Sequence, residues 1–218
     1  MFIRIGGIPG VGKSTVIDKL SKVGKMYGLP IEKVKGGDVL LKLAGVSTYY
    51  LRVLPIFLIH NAKHFRASLR PEMFRIMYEE DRQNPQVIRL RDAHFSLIDP
   101  ETGQIVTFPL QHEDSEQMLA MIVLTADPEI ILTRRLGDKS RSDRFMDLDV
   151  IIEEQRIEIE TAEAQSKQLD RELVIVDNSP EGLSVYKEII NKAFPEGNLS
   201  STLEAAIFGS GGKLETNR

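Results

Sequence analysis

The chain contains no cysteine. That excludes disulfides, a thiolate zinc site and thiol chemistry, and it fits a reducing interior. A basic charge balance is missing too. Across 218 residues the formal net charge is −4, which argues against a nucleic-acid binder that is basic over its whole surface and leaves only a local basic cleft open. Long apolar runs are also absent. The opening MFIRIGGIPG is interrupted by Arg4, and the apolar stretch Tyr49–Ile59 holds Arg52 and Pro55. Neither reads as a signal peptide or a membrane span, so a cytoplasmic setting is the default expectation. With 42% hydrophobic and 28% charged residues the chain can bury a substantial core, and disorder throughout is excluded.

Short apolar runs recur at Phe2–Ile5, Ile31–Lys35, Val87–Arg91, Met121–Thr125 and Leu173–Asp177. Helical patterns separate them, which predicts a parallel sheet covered on both faces, an α/β fold. Val16, Ile17, Leu20 and Val23 share one face of a helix that ends at Gly28-Leu29-Pro30. Another helix is expected to start at Pro128, after Asp127. The charged segment Leu148–Leu169 reads as a long helix with Glu-to-Arg pairs, and Pro180–Phe194 as a closing one. Two segments break the alternation. Ala44–Asn84 reads as a mostly helical insertion broken at Pro55 and Pro71. Phe95–Leu110 reads as a small hairpin around Asp99-Pro100-Glu101-Thr102-Gly103. The expected organisation is a domain over 1–194, with the insertion at about 44–84 and a lid at about 135–147, followed by a flexible tail over 195–218.

Gly7-Ile8-Pro9-Gly10-Val11-Gly12-Lys13-Ser14 has the spacing Gly, four residues, Gly-Lys-Ser. The glycines let the backbone curl so that N–H groups converge on an anion, and the helix beginning there adds its positive end. Lys13 reaches β- and γ-phosphates, the Ser14 hydroxyl suits Mg²⁺, and Thr15 follows within the same turn. The loop lies between an apolar strand and an amphipathic helix, the setting phosphate binding requires. It predicts ATP and Mg²⁺ as ligands.

A guanine-reading Asn-Lys-x-Asp is missing: Asn191-Lys192 continues as Ala193-Phe194. A motor or AAA-type ATPase is set aside on chain length and because Asp92 is followed by Ala93-His94 rather than Glu. A small-molecule kinase remains. It needs cations around the phosphates, a cover and an acceptor pocket. Arg134, Arg135, Arg141 and Arg144 crowd the stretch around Gly137. They form either a lid over ATP or a solvated helix end balanced by Asp138, Asp143 and Asp147; with the phosphate loop present, the lid reading leads. Asp38, after Gly36-Gly37, either caps a helix or faces the transferred phosphate. Arg52, Arg66, Arg70 and Arg75 either clamp an acceptor phosphate or make surface salt bridges. Asp92 ends a strand where ligands bind in such sheets, and it either holds the Mg²⁺ water shell or orients the acceptor. His94 can donate to a phosphate. His60, His64 and His112 have no metal-ligand spacing.

These pieces, in this order, resemble the archaeal-type adenylate kinases among the P-loop nucleoside monophosphate kinases. The resemblance rests on Gly7–Ser14, Gly37-Asp38-Val39, Asp92-Ala93-His94 with the following hairpin, Ala126-Asp127-Pro128 and Arg134-Arg135-Leu136, and it spans residues 1–194. It implies a five-stranded parallel core, AMP as the acceptor and a short zinc-free lid. It also implies adenine held near Asn178 and Ser179, and a tendency to form homo-oligomers. Tyr49-Tyr50-Leu51 and Val53–Ile59 would supply either that contact surface or core packing. The leading expectation is transfer of the ATP γ-phosphate to a nucleoside monophosphate. Lys13, Arg135, Arg141, Arg144 and Asp92 would act on the transferred group, and Asp38, Arg66, Arg70 and His94 on the acceptor. A kinase for a non-nucleotide metabolite and an ATP-binding regulatory protein are the alternatives.

Overall fold

In the computed structural model, a strand rich in β-branched and aromatic residues, β1 (Phe2–Gly6), runs through the centre of the molecule. The structure describes residues 1–26, 28–43, 56–99, 102–138 and 145–179 with 186, 189 and 191; the side chains of 23, 41 and 56–67 lie outside that description. Along the chain, β1 is followed by α1 (Lys13–Met26), β2 (Ile31–Lys35), α2 (Gly36–Leu43) and α3 (Ile56–Gln83). Then come β3 (Ile88–Asp92), the short strands β4 (Ser96–Ile98) and β5 (Ile105–Thr107), and α4 (Asp114–Gln117). The chain continues with β6 (Met118–Thr125), α5 (Pro128–Gly137), α6 (Leu148–Leu169) and β7 (Leu173–Asp177). Five strands form one sheet in the order β2-β3-β1-β6-β7, every pair parallel. From β1 the chain goes to the edge at β2, returns to β3 beside β1, and then crosses to β6 and β7 on the other side. The topological switch therefore lies at the C-terminal ends of β1, β3 and β6, where ligands bind in open α/β sheets.

Alternation along the central strands sends side chains to two cores. Ile3 and Ile5 of β1 pack with Val16, Ile17 and Leu20 of α1 on one face. Phe2 packs with Tyr78 of α3 and Ala162 of α6 on the other. β6 begins three residues before the expected Met121, because Met118 to Leu124 is one apolar run. β4 and β5 pair antiparallel as the expected hairpin, with Gly103 N–H donating to the Asp99 carbonyl at 2.8 Å. Asp127 caps α5 by accepting from the Glu129 N–H at 2.8 Å, with Pro128 at the first position.

One expectation is corrected. Pro71 does not break the insertion: α3 runs through it. Proline removes one N–H from the helix. Downstream of it, however, Met73, Met77 and Tyr78 are buried, and Asp81 is held from β3 by Arg89 at 3.0 Å and Arg91 at 2.7 Å. Tertiary contacts on the far side hold the helix that the local sequence would interrupt. Arg52, residues 44–55 and the 195–218 tail lie outside the described residues; of the closing helix only 186, 189 and 191 are described, all helical.

Candidate active site

The phosphate loop connects β1 to α1, and three of its glycines, Gly7, Gly10 and Gly12, have positive φ, two of them in the tightest surroundings. Gly7 has φ +131°, and a Cβ there would lie 2.6 Å from the Leu124 carbonyl oxygen. Gly12 has φ +102°, and a Cβ there would lie 2.5 Å from the Asn178 side-chain nitrogen. Any larger residue would push the loop off β6 or off the residues after β7. Two loop N–H groups are engaged within the protein: that of Val11 donates to the Ile8 carbonyl at 3.3 Å, and that of Gly7 to a side chain. The Gly7 N–H turns beneath the loop to the Glu158 carboxylate at 2.8 Å, so the anion-facing donors come from further along the loop.

A cleft of about 640 Å³ opens over the loop, and Pro9, Gly10, Gly12, Lys13, Ser14 and Thr15 line it. Lys13 is 7% exposed and folds back to the carbonyls of Gly7 and, at 3.3 Å, Ile8. The Ser14 hydroxyl donates to Asp92 Oδ2 at 3.2 Å. The sequence separates these two residues by a whole insertion, and the sheet unites them because β1 and β3 are neighbours. The pair supplies two hard oxygen donors at the mouth of an anion-binding loop, a donor set that fits Mg²⁺. Among the described residues no group of three His, Asp or Glu side chains is placed to hold a metal ion.

The arginines divide unexpectedly. Arg135, expected to act on the transferred group, braces the loop from beneath in this structure. It is 1% exposed, donating to the Pro9 carbonyl at 2.9 Å, the Phe145 carbonyl at 2.9 Å and Glu154 at 2.7 Å. Successive helical residues are turned by about 100°, so only one of Arg134 and Arg135 can face the cleft. That one is Arg134, which lines it and donates to the carbonyls of Val11 at 3.0 Å and Asn178 at 3.2 Å. Asn178 in turn donates to Val11 at 2.7 Å. Arg141 and Arg144 lie outside the described residues, as does the Arg66 side chain.

Glu158 was not singled out in the sequence. It is 1% exposed on α6 and accepts from the N–H groups of Gly7, Phe95 at 3.0 Å and Ser96 at 2.6 Å, and from the Ser96 hydroxyl at 3.0 Å. One carboxylate thus ties the start of the phosphate loop to the segment after β3. Within Leu148–Leu169 it is one Glu among many, and charge patterning alone does not mark it.

A second cavity, of about 390 Å³, lies on the other side of Asp92 and His94, and both residues line both spaces. Its walls are mostly apolar, with Phe2, Leu40, Met73, Tyr78 and Phe108 among them. Arg70, an expected acceptor residue, lies at its edge with its guanidinium 5.5 Å from the Phe108 ring centroid. Asp38 is corrected. It lies exposed inside the first turn of α2 and lines neither cavity, while Gly36, Gly37 and Leu40 do line the second. Arg75 follows its salt-bridge alternative, pairing with Glu72 at 2.7 Å and Glu79 at 3.0 Å.

A family model described as an AAA domain, AAA_17, matches residues 6–152, from the phosphate loop into α6. The chain belongs to that family. The phosphate loop after β1 of a five-stranded parallel sheet flanked by helices is the P-loop NTPase fold. An adenylate kinase from Sulfurisphaera tokodaii is 27% identical over 143 residues, 63% of this chain and 70% of that one. An adenylate kinase from Saccharolobus islandicus is 29% identical over the same length and coverage. A shikimate kinase from Bacteroides thetaiotaomicron is similar in structure at 13% identity and a TM-score of 0.48, covering 89% of this chain and 98% of that one. No helix of the described residues is long and apolar enough to cross a membrane.

Proposed function

We propose that this AAA_17 protein is an ATP-dependent kinase that transfers the γ-phosphate of ATP to a nucleoside monophosphate, AMP first among them. One observation carries the reading: the phosphate-loop cleft and a largely apolar cavity meet at Asp92 and His94, so a donor and an acceptor can face each other there. The naming of both archaeal relatives as adenylate kinases supports AMP over other acceptors.

In this mechanism the loop N–H groups and the N-terminus of α1 hold the donor phosphates, and Lys13 exchanges its carbonyl partners for phosphate oxygens. Ser14 and Asp92 would hold Mg²⁺, which neutralises charge on the phosphates. Arg134, and Arg141 and Arg144 on closing of the lid, add cations as charge builds on the transferred group. The bond from the γ-phosphorus to its bridging oxygen breaks as one forms to an acceptor phosphate oxygen. That oxygen is already ionised, so His94 and Arg70 position it and no general base is needed. The setting we propose is the cytoplasm.

The test is ADP production with ATP and Mg²⁺ against AMP, CMP, UMP, GMP and dTMP, with Lys13→Ala as the blank. Stimulation by one monophosphate, lost in the variant, is expected. Flat turnover across the panel despite ATP binding would contradict the reading.

A further inference from the structure

Arg4 interrupts the apolar sequence of the central strand, and a central strand of a parallel sheet is a costly place for a charge. It is 8% exposed. Its guanidinium donates to Gln165 Oε1 at 3.1 Å and to the His94 carbonyl at 3.0 Å, and lies 4.4 Å from the Phe95 ring centroid. Both hydrogen-bond acceptors are neutral, and no carboxylate lies within salt-bridge distance of Arg4 among the described residues. The nearby carboxylates are committed elsewhere. Glu158 is taken by Gly7, Phe95 and Ser96, and Asp114 by the Tyr78 hydroxyl at 2.5 Å and the Gln111 N–H at 2.8 Å. Burial accordingly pulls the Arg4 guanidinium below its ordinary value, against the opposing influence of Asp114 and Glu158.

Arg91, paired with Arg4 in register on β3, is 5% exposed and stacks 3.7 Å from the Phe2 ring centroid. Asp81 takes one of its terminal nitrogens at 2.7 Å, while its buried Nε has no partner. Arg4, Arg70 and Arg91 line the second cavity together with two carboxylates, Asp92 and Asp114. The first of these receives the Ser14 hydroxyl. Arg91 is balanced by Asp81 and Arg70 is exposed, so Arg4 is the buried guanidinium on this otherwise apolar wall that has no carboxylate of its own among the described residues.

We infer that Arg4 is an acceptor-binding residue. It holds an anionic group of the acceptor from the floor of the sheet, with Arg91 beside it, and the apolar walls take the acceptor's uncharged body. The ligand class is an organic anion with an apolar or aromatic portion. The sequence points for this contact to the arginines of the helical insertion and to His94, not to the central strand. The inference rests on the second cavity being the acceptor site, as proposed above, but not on the acceptor's being AMP.

The experiment is calorimetric titration of the full chain with AMP and with adenosine, in wild type and Arg4→Gln, with ATP affinity measured in parallel. AMP is expected to bind far more tightly than adenosine. Arg4→Gln should weaken AMP roughly 10- to 100-fold, the range of a lost hydrogen bond to a charged group, and leave ATP affinity unchanged. Unchanged AMP affinity in a folded Arg4→Gln protein overturns the inference and leaves the kinase reading standing. If no nucleoside monophosphate binds the wild type, inorganic phosphate and a small hydroxycarboxylate are titrated next. Binding lost with Arg4 then supports the anion site while the monophosphate reading falls, and no binding of either overturns both. Should Arg4→Gln fail to fold, Arg4→Lys keeps the charge and loses the fork. A loss of about tenfold is then expected, and wild-type affinity overturns the inference.

Discussion

At the scale of single residues, the site is held by groups that never touch the phosphates. Glu158 is the clearest. Replacing it with Gln removes the charge from a set of buried donors and leaves at least one poorly matched, a cost of about 1–3 kcal/mol. For a chain of this size that lowers Tm by roughly 2 to 12 °C, readable by thermal melting. It should also raise the KM for ATP more than it lowers kcat, because the loop is displaced while the transferred group's own contacts remain. Asp92→Asn should do the reverse. The Ser14–Asp92 pair lies where Mg²⁺ would be held, so a loss of kcat of about 100-fold or more at saturating ATP is expected. Steady-state kinetics on both variants separate the two roles.

The same scale shows what the sequence could not disclose. The phosphate loop was legible because each position in it has a separate physical task at fixed spacing. Ser14 and Asp92 could be named singly, and the sheet brought them together. Arg134 and Arg135 look alike in sequence, and only the rotation of α5 decides that one lines the cleft and the other braces Pro9. Arg4 was legible only as an interruption of an apolar run. Its neighbours Gln165 and Phe95 come from distant segments, and no spacing rule joins them.

At the scale of elements, strands and helices followed closely from apolar runs and caps. The hairpin and α6 lie where the pattern puts them, four of the five strands lie within a residue of it, and β6 starts three residues earlier. The failure at Pro71 is instructive because local propensity was overruled by Met73, Tyr78 and Asp81 packing on the sheet. Pro71→Ala restores a helical N–H, and proline in a helix interior is about 3 kcal/mol less favourable than alanine. Some of that gain is offset by the freer unfolded chain. A rise of a few degrees in Tm is expected, and a fall would mean that α3 depends on the proline. Since Pro71 also lines the second cavity, proposed here as the acceptor site, the variant's KM for the acceptor reads whether that wall has moved.

At the scale of the whole molecule, two cores clamp one sheet, and polar groups buried in the second core couple stability to pH. Burial raises the Tyr78 phenol above its ordinary value, with Asp114 beside it adding to the shift. A raised value contributes stability that is complete below the unfolded phenol's value of about 10 and is lost as pH rises beyond it. Melting temperature should therefore fall above about pH 10, and Tyr78→Phe should make that fall shallower while losing some stability at neutral pH.

The central claim concerns where the two cavities meet. If donor and acceptor face each other across Asp92 and His94, AMP and ATP labelled at the γ-phosphate should yield ADP carrying the label in its β-phosphate. Label recovered only as inorganic phosphate, at the same rate with and without AMP, would contradict the account.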